Sequence, residues 1–469
     1  MVEDLSAAEA GFRAEFPTYE TTSDLDDLRK REYSRLERLG HVYLDYTGGG
    51  LYASSQVREH TDLLESYVFG NPHSGNPTAK AMTALVEQAR YKVLEFFNAS
   101  PDEYAAIFTA NASTALKLVG EAYPFGEGDH FLLTFDNHNS VNGIREFARS
   151  RRAGITYVPL ALPELNVDEA GLEEYWTRSR EGGHNLFAYP AQSNFSGVQH
   201  PLSWIPRAQE RGWDVLLDAA AFVPTNRLDL GEWKPDFVPL SFYKMFGYPT
   251  GVGCLLARRE ALKKLHRPWF SGGTITVASV QGDQFYMAEG STAFEDGTVN
   301  YLSLPGVKIG LNHLETVGLE KIHERCRCLT GWLLRQLDGL RHENGQPVVR
   351  VYGPRSTASR GGTITMNFYE RGGRVIDHLR IEEAAAGAQI SLRTGCFCNP
   401  GGGEVALELS RTELIGCFNQ PEHATSFTHD DFRLCVDGKS TGAVRISVGL
   451  VTNFRDVWRF AKFAESFRR

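Results

Sequence analysis

The sequence predicts an α/β fold, with a large unit built on a mostly parallel mixed sheet and a smaller α+β unit after it. Three observations carry that expectation. From residue 42 onward, short β-branched and aromatic runs alternate with stretches of helical periodicity, the pattern of βαβ units. Small, hydroxylated and charged residues stand directly after the apolar runs, where an open parallel sheet presents its ligand. The last third breaks the alternation with one long helical pattern followed by strands and shorter helices.

Taken in order, residues 5–40 read as a polar, partly helical leader with the charged run Asp26-Asp27-Leu28-Arg29-Lys30-Arg31, and the core begins at Val42-Tyr43-Leu44-Asp45. A strand over 105–109 precedes a helix over 113–122, and a strand over 131–135 precedes a helix over 142–149. Further strands are expected at 185–189, 215–217 and 237–241. A continuous helical pattern over 307–340 leads to strands at 348–352 and 363–368 and a helix near 375–386, for which Gly387 is a stop signal. A strand at 443–448 and a closing helix at 454–467 complete the chain. The expected division is a large domain over 40–310 and a small one over 311–469, with 1–39 packing nearby.

Composition narrows the function classes. Forty-nine Lys and Arg against 58 Asp and Glu give a formal charge of −9, with no dense basic run, which excludes nucleic acid as an expected partner. The longest apolar stretches fall short of a membrane span. Met1 to Ala10 lack a basic segment followed by an apolar run, so no secretory signal is read. Seven cysteines are odd in number and sparse, which fits a reducing, cytoplasmic location.

The chemistry is expected at the carboxyl ends of the strands. Thr109-Ala110-Asn111-Ala112-Ser113-Thr114 opens a helix, whose free N–H groups and dipole favour a phosphate. The next polar groups are Asp136-Asn137-His138 and Ser193-Asn194-Phe195-Ser196-Gly197; Val215-Leu216-Leu217 then ends in Asp218, and 237–241 runs into Tyr243-Lys244. An Asp after one strand and a Lys after the next suit pyridoxal phosphate (PLP): the acid keeps the pyridine nitrogen protonated, and the lysine forms an imine and moves protons. Singly, these are a capped helix, a turn aspartate, a solvated lysine and a hydrogen-bonded loop histidine. Only their joint order carries the functional reading.

In wording and order the motifs resemble the cysteine-desulfurase branch of the class V aminotransferases, and most closely the N-terminal, desulfurase-like domain of molybdenum-cofactor sulfurases. The similar stretches are Tyr43-Leu44-Asp45-Tyr46-Thr47-Gly48, Phe69-Gly70-Asn71-Pro72-His73-Ser74, Phe108-Thr109-Ala110-Asn111-Ala112-Ser113, Asp136-Asn137-His138, Ser193-Asn194-Phe195-Ser196-Gly197 and Leu217-Asp218-Ala219-Ala220. The most specific are 241–251, the run Arg393-Thr394-Gly395-Cys396-Phe397-Cys398-Asn399-Pro400-Gly401, and Gly442-Ala443-Val444-Arg445-Ile446-Ser447. The resemblance implies the PLP-dependent transferase fold type I and a homodimer. It implies Lys244 as the Schiff-base lysine, Asp218 as partner of the pyridine nitrogen, and His138 stacked on the ring and moving protons. Ala112, Ser113 and Ser241 would hold the phosphate, and Thr298 would reach the phosphate of the neighbouring subunit. Asn194 would sit by the ring hydroxyl and the substrate carboxylate, which Arg393 would clamp. Cys398 matches the sulfur-accepting cysteine, taking sulfur from L-cysteine or a related thio-amino acid and passing it to an acceptor protein or small molecule.

Sulfur transfer needs a thiolate, and Arg393 supplies nearby positive charge. Gly401-Gly402-Gly403 is expected to give the loop freedom to swing Cys398 toward the cofactor and away. Cys396-Phe397-Cys398 has no matching His/Cys pair at zinc spacing, so no metal is expected. Cys326 and Cys328 read as inert thiols in a helix, and Cys254, Cys417 and Cys435 carry no assigned role. The pattern departs from ordinary desulfurases at Ala221, where Gln is usual, at Tyr243 in place of His, at Thr47-Gly48-Gly49-Gly50, and at Gly401-Gly402-Gly403-Glu404. Two alternatives stay open: a PLP enzyme doing transamination, epimerisation, β-elimination or another amino-acid rearrangement, and a non-enzymatic sulfur carrier or scaffold.

Overall fold

The computed structural model describes residues 4–72, 74–419, 428, 431 and 442–468; His73 and Cys435 lie outside them. Its centre is a seven-stranded sheet made of β1 (Tyr104–Thr109), β2 (His130–Thr134), β3 (Gly154–Val158), β4 (Asn185–Pro190), β5 (Trp213–Asp218), β6 (Phe237–Ser241) and β7 (Gly253–Arg258). The spatial order is β1-β7-β6-β5-β4-β2-β3. All neighbours are parallel except β7, which runs antiparallel to both β1 and β6.

Successive side chains of these strands enter two different cores, as the two-residue period requires. Leu132, Phe187, Val215, Leu217 and Leu240 join one apolar cluster, while Leu133, Leu186, Leu216 and Leu255 join another on the opposite face. Both faces are covered, so β4 and β5 are buried along their whole length.

A second sheet of four strands, β8 (Val349–Tyr352), β9 (Thr363–Phe368), β10 (Arg393–Gly395) and β11 (Ala443–Ser447), has the order β8-β9-β11-β10 and is antiparallel throughout. Val42–Tyr43 pairs with Ile390–Ser391 beside it. The leader folds as helices at Leu5–Glu15, Asp24–Glu32 and Arg35–Arg38 and packs on the C-terminal helix Phe454–Glu465. Phe12 stacks on Phe454 at 4.6 Å, and the buried Arg29 guanidinium pairs with Asp456.

The sequence reading needs two corrections. The helical pattern over 307–340 is two helices, Leu304–Val317 and Leu319–Gly339, because Gly318 between them takes φ 91°, a left-handed value that glycine adopts without strain. Strands β3 and β7 were not anticipated. Among the described residues no helix is long and apolar enough to cross a membrane, and no group of three or more His, Cys, Asp or Glu could hold a metal ion.

Candidate active site

The carboxyl ends of β1, β2, β4, β5 and β6 converge on one cavity of about 520 Å³. Its lining includes Ala112, Ser113, His138, Asn194, Asp218, Ser241 and Lys244, seven of the residues singled out in the sequence. Thr250 and Gly251 join them because β7 runs the other way and brings its start to the same end of the sheet.

Each side chain is placed by the element before it. β1 ends at Thr109, and Asn111 caps the helix Ala112–Ala122 by accepting from the Thr114 N–H at 2.9 Å. The Ala112 and Ser113 N–H groups have no partner among the described residues, which leaves them for an anion. Ser113 Oγ meets Ser140 Oγ at 2.7 Å. Asp218 closes β5, and its Oδ1 accepts from the Ala220 N–H at 3.0 Å. Ser241 closes β6, and Lys244 lies in the helical turn Phe242–Phe246 that follows.

The Lys244 amine makes no ion pair among the described residues. Burial holds its pKa below the ordinary lysine value; the Asp218 carboxylate opposes that shift, while the Arg445 and Arg393 charges add to it. Burial likewise lowers the His138 pKa, against the pull of Asp218. His138 Nδ1 accepts from the Ser140 N–H at 3.1 Å, so the neutral ring carries its proton on Nε2.

Arg393, Thr298 and Cys398 are not in the cavity lining. Arg393, on β10, is half-exposed and grips Asp45, with Nε 3.2 and 3.0 Å from the two carboxylate oxygens and Nη2 2.7 Å from Oδ2. Thr298 lines an adjacent cavity of about 350 Å³ that shares Ala110 and Gly251 with the first, and it lies 3.5 Å from Asn71 Nδ2.

Cys398 is exposed, in a loop held on both sides. Phe397 and Cys398 have φ of 57° and 54°, both left-handed. Asn194 Nδ2 donates to the Phe397 carbonyl at 2.7 Å, and the Asn139 N–H donates to the Cys398 carbonyl at 2.7 Å. Asn399 Nδ2 donates to Asn194 Oδ1 at 2.9 Å and to the Asp136 carbonyl at 2.7 Å. The expected glycine swing is therefore corrected. Gly401, Gly402 and Gly403 are buried in the helix Pro400–Ala406, and a Cβ on Gly401 would run into the Phe135 carbonyl oxygen. Gly401 and Gly402 are small because the helix packs tightly there.

Several residues were missed. Arg445 on β11 is buried, with Nη2 3.2 Å from Asp45 Oδ1, Nη1 3.0 Å from the Asn194 carbonyl, and its guanidinium 4.6 Å from the Phe397 ring centre. Burial brings its pKa down to about 10, against the pull of the Asp45 carboxylate. Arg445 stood within a quoted motif, and the apolar run around it read as strand alone. Gln192, buried, lines the cavity beside Ala221. The buried pair His200–Asp136, at 2.9 Å, backs the turn that carries His138. Cys326 is buried and its thiol pushed up to about 12, an inert setting.

Comparison with known proteins places the chain in a family. Molybdenum cofactor sulfurase of Solanum lycopersicum is 37% identical over 489 residues, covering 97% of this chain and 59% of that protein. The human molybdenum cofactor sulfurase is 38% identical over 467 residues, covering 94% of this chain and 51% of its own length. The chain thus spans between half and three-fifths of these relatives. A cysteine desulfurase from Thermococcus onnurineus NA1 superposes with a TM-score of 0.76 at 23% identity, covering 94% of this chain and 97% of that one. The family model for aminotransferase class-V matches residues 42–460, and this chain belongs to that family.

Proposed function

We propose that the protein is a PLP-dependent, cysteine desulfurase-like enzyme that breaks the C–S bond of L-cysteine or a related thio-amino acid and receives the sulfur on Cys398. The carrying observation is a Lys244 amine with no ion pair among the described residues and the Asp218 carboxylate in one cavity, with Asn194 on the same cavity wall bonded to the peptide before Cys398.

The residues present fit the cofactor. The helix start at Ala112 and Ser113, with Ser241, suits a phosphate, Asp218 suits a protonated pyridine nitrogen, and Lys244 suits an aldehyde. The cavity lies within the range of about 300–1,000 Å³ common to small-molecule sites. When bound, PLP supplies an electron-withdrawing ring that weakens bonds around the substrate's α-carbon.

The chain's own groups do the rest. Asp218 holds a proton at the ring nitrogen. Lys244, free of ion pairs among the described residues and depressed in pKa, takes and returns the proton at the α-carbon. Neutral His138 offers an N–H at Nε2 on the cavity wall. Arg393 and Arg445 supply positive charge for a substrate carboxylate. Cys398 attacks the substrate sulfur, the C–S bond breaks, and its electron pair passes to the carbon that becomes alanine's methyl group. Thiol plus L-cysteine thus becomes persulfide plus L-alanine, and external thiol then releases sulfide.

The reading extends to a homodimer in which Thr298 serves the neighbouring subunit, to a protein or small molecule that accepts the sulfur, and to a cytoplasmic location. The test is the PLP-loaded protein given L-cysteine and a thiol reductant. Alanine and sulfide in equal amounts are expected; pyruvate and ammonia would overturn the proposal in favour of β-elimination.

A further inference from the structure

Asp45 binds two arginines at once. Its Oδ2 takes Arg393 Nη2 at 2.7 Å, and its Oδ1 takes Arg445 Nη2 at 3.2 Å, so one carboxylate stands against two guanidinium charges. The arrangement is built in from both sides. Asp45 bridges Ser447 on β11, and the Ser447 N–H donates to the Leu44 carbonyl at 2.7 Å. A Cβ on Gly48 would lie 2.5 Å from Asp45 Oδ2 and 2.7 Å from Arg393 Nη2, so only glycine lets the backbone close over the pair. The glycine run at 48–50, unusual in the sequence, thereby has a reason at its first position.

We infer that Asp45 is a specificity-determining residue: it cancels one of the two guanidinium charges, so the pocket accepts amino acids with a single carboxylate and rejects those whose side chain is also anionic. The inference rests on the proposed function, which places an amino acid between Arg393 and Cys398. The α-carboxylate meets the Arg393 guanidinium, and the side chain points to Cys398, the residue after Phe397, whose ring centre lies 4.6 Å from the Arg445 guanidinium. Two guanidiniums and the Asp45 carboxylate leave one net positive charge, which the α-carboxylate uses, so an anionic side chain finds no second one. A neutral thiol side chain has no such need.

The experiment titrates the PLP-loaded protein with L-cysteine and L-alanine, and with L-aspartate and L-cysteine sulfinate, following cofactor absorbance. In Asp45→Asn, affinity for the last two relative to the first two is expected to rise about tenfold or more, the scale of one charge-assisted hydrogen bond. Gly48→Ala, which forces the pair apart with Asp45 still present, is expected to move the ratio the same way and decides the matter if Asp45→Asn does not fold. A folded variant that keeps the native ratio overturns the inference alone. A native protein whose absorbance responds to none of the four amino acids overturns the proposed function and this inference together.

Discussion

Asn194 fixes the peptide before Cys398: its Nδ2 donates to the Phe397 carbonyl at 2.7 Å while its Oδ1 accepts from Asn399 Nδ2 at 2.9 Å. One side chain from the cavity wall thus sets the position of the thiol. Asn194→Ala removes both bonds and leaves the Phe397 carbonyl unpaired, at about 1–3 kcal/mol, while Asn399 keeps its bond to the Asp136 carbonyl. The initial rate of persulfide formation on Cys398, read by mass spectrometry, is expected to fall about tenfold or more. An unchanged rate would detach the loop's placement from the chemistry.

Cys398→Ala separates the persulfide route from every other PLP reaction. Alanine formation from L-cysteine is expected to fall more than about a hundredfold. L-Cysteine should still perturb the cofactor spectrum, because the cavity lining is intact. Full activity in this variant would point to transamination, epimerisation or another rearrangement.

The lowered Lys244 pKa predicts the pH dependence of cofactor capture. The protonated amine is unreactive, and burial disfavours that form, so the reactive free base is present at lower pH than for an ordinary lysine of about 10.4. The rate at which apoprotein takes up PLP should rise with pH and level off below that value. A midpoint at or above it would contradict the environment described. Lys244→Arg should abolish covalent attachment after borohydride reduction.

Gly401→Ala tests whether the glycines are there for space. The added methyl meets the Phe135 carbonyl, and overpacking of this kind costs about 1–3 kcal/mol. Thermal melting should show a lowered Tm. A stability equal to that of the native protein would revive the view of 401–403 as a flexible segment.

Much of the cavity could be read from the chain because its residues follow apolar runs directly. Asp218 ends Val215-Leu216-Leu217, and Ser113 opens the helix after 105–109, so local order and spatial order coincide. The reversed direction of β7 could not be read, because an apolar run carries no sign of the way it will pair. Arg445 escaped for a different reason: its partner is Asp45, nearly a whole chain away, and a charged residue inside Ala443–Ser447 looks locally like an outward-facing one. The glycines at 401–403 were read as freedom because a sequence does not display Phe135, the neighbour that makes Gly401 necessary.

The two walls of the site belong to different stages of synthesis. Everything from Ala112 to Lys244 that faces the cavity has left the ribosome while the second sheet is still untranslated. Asp45 waits through all of that time for Arg393 and then Arg445, and the wall facing the substrate closes only when β11 emerges. A nascent chain can therefore assemble a place for its coenzyme early and gain the means to choose an amino acid only once β11 has been made.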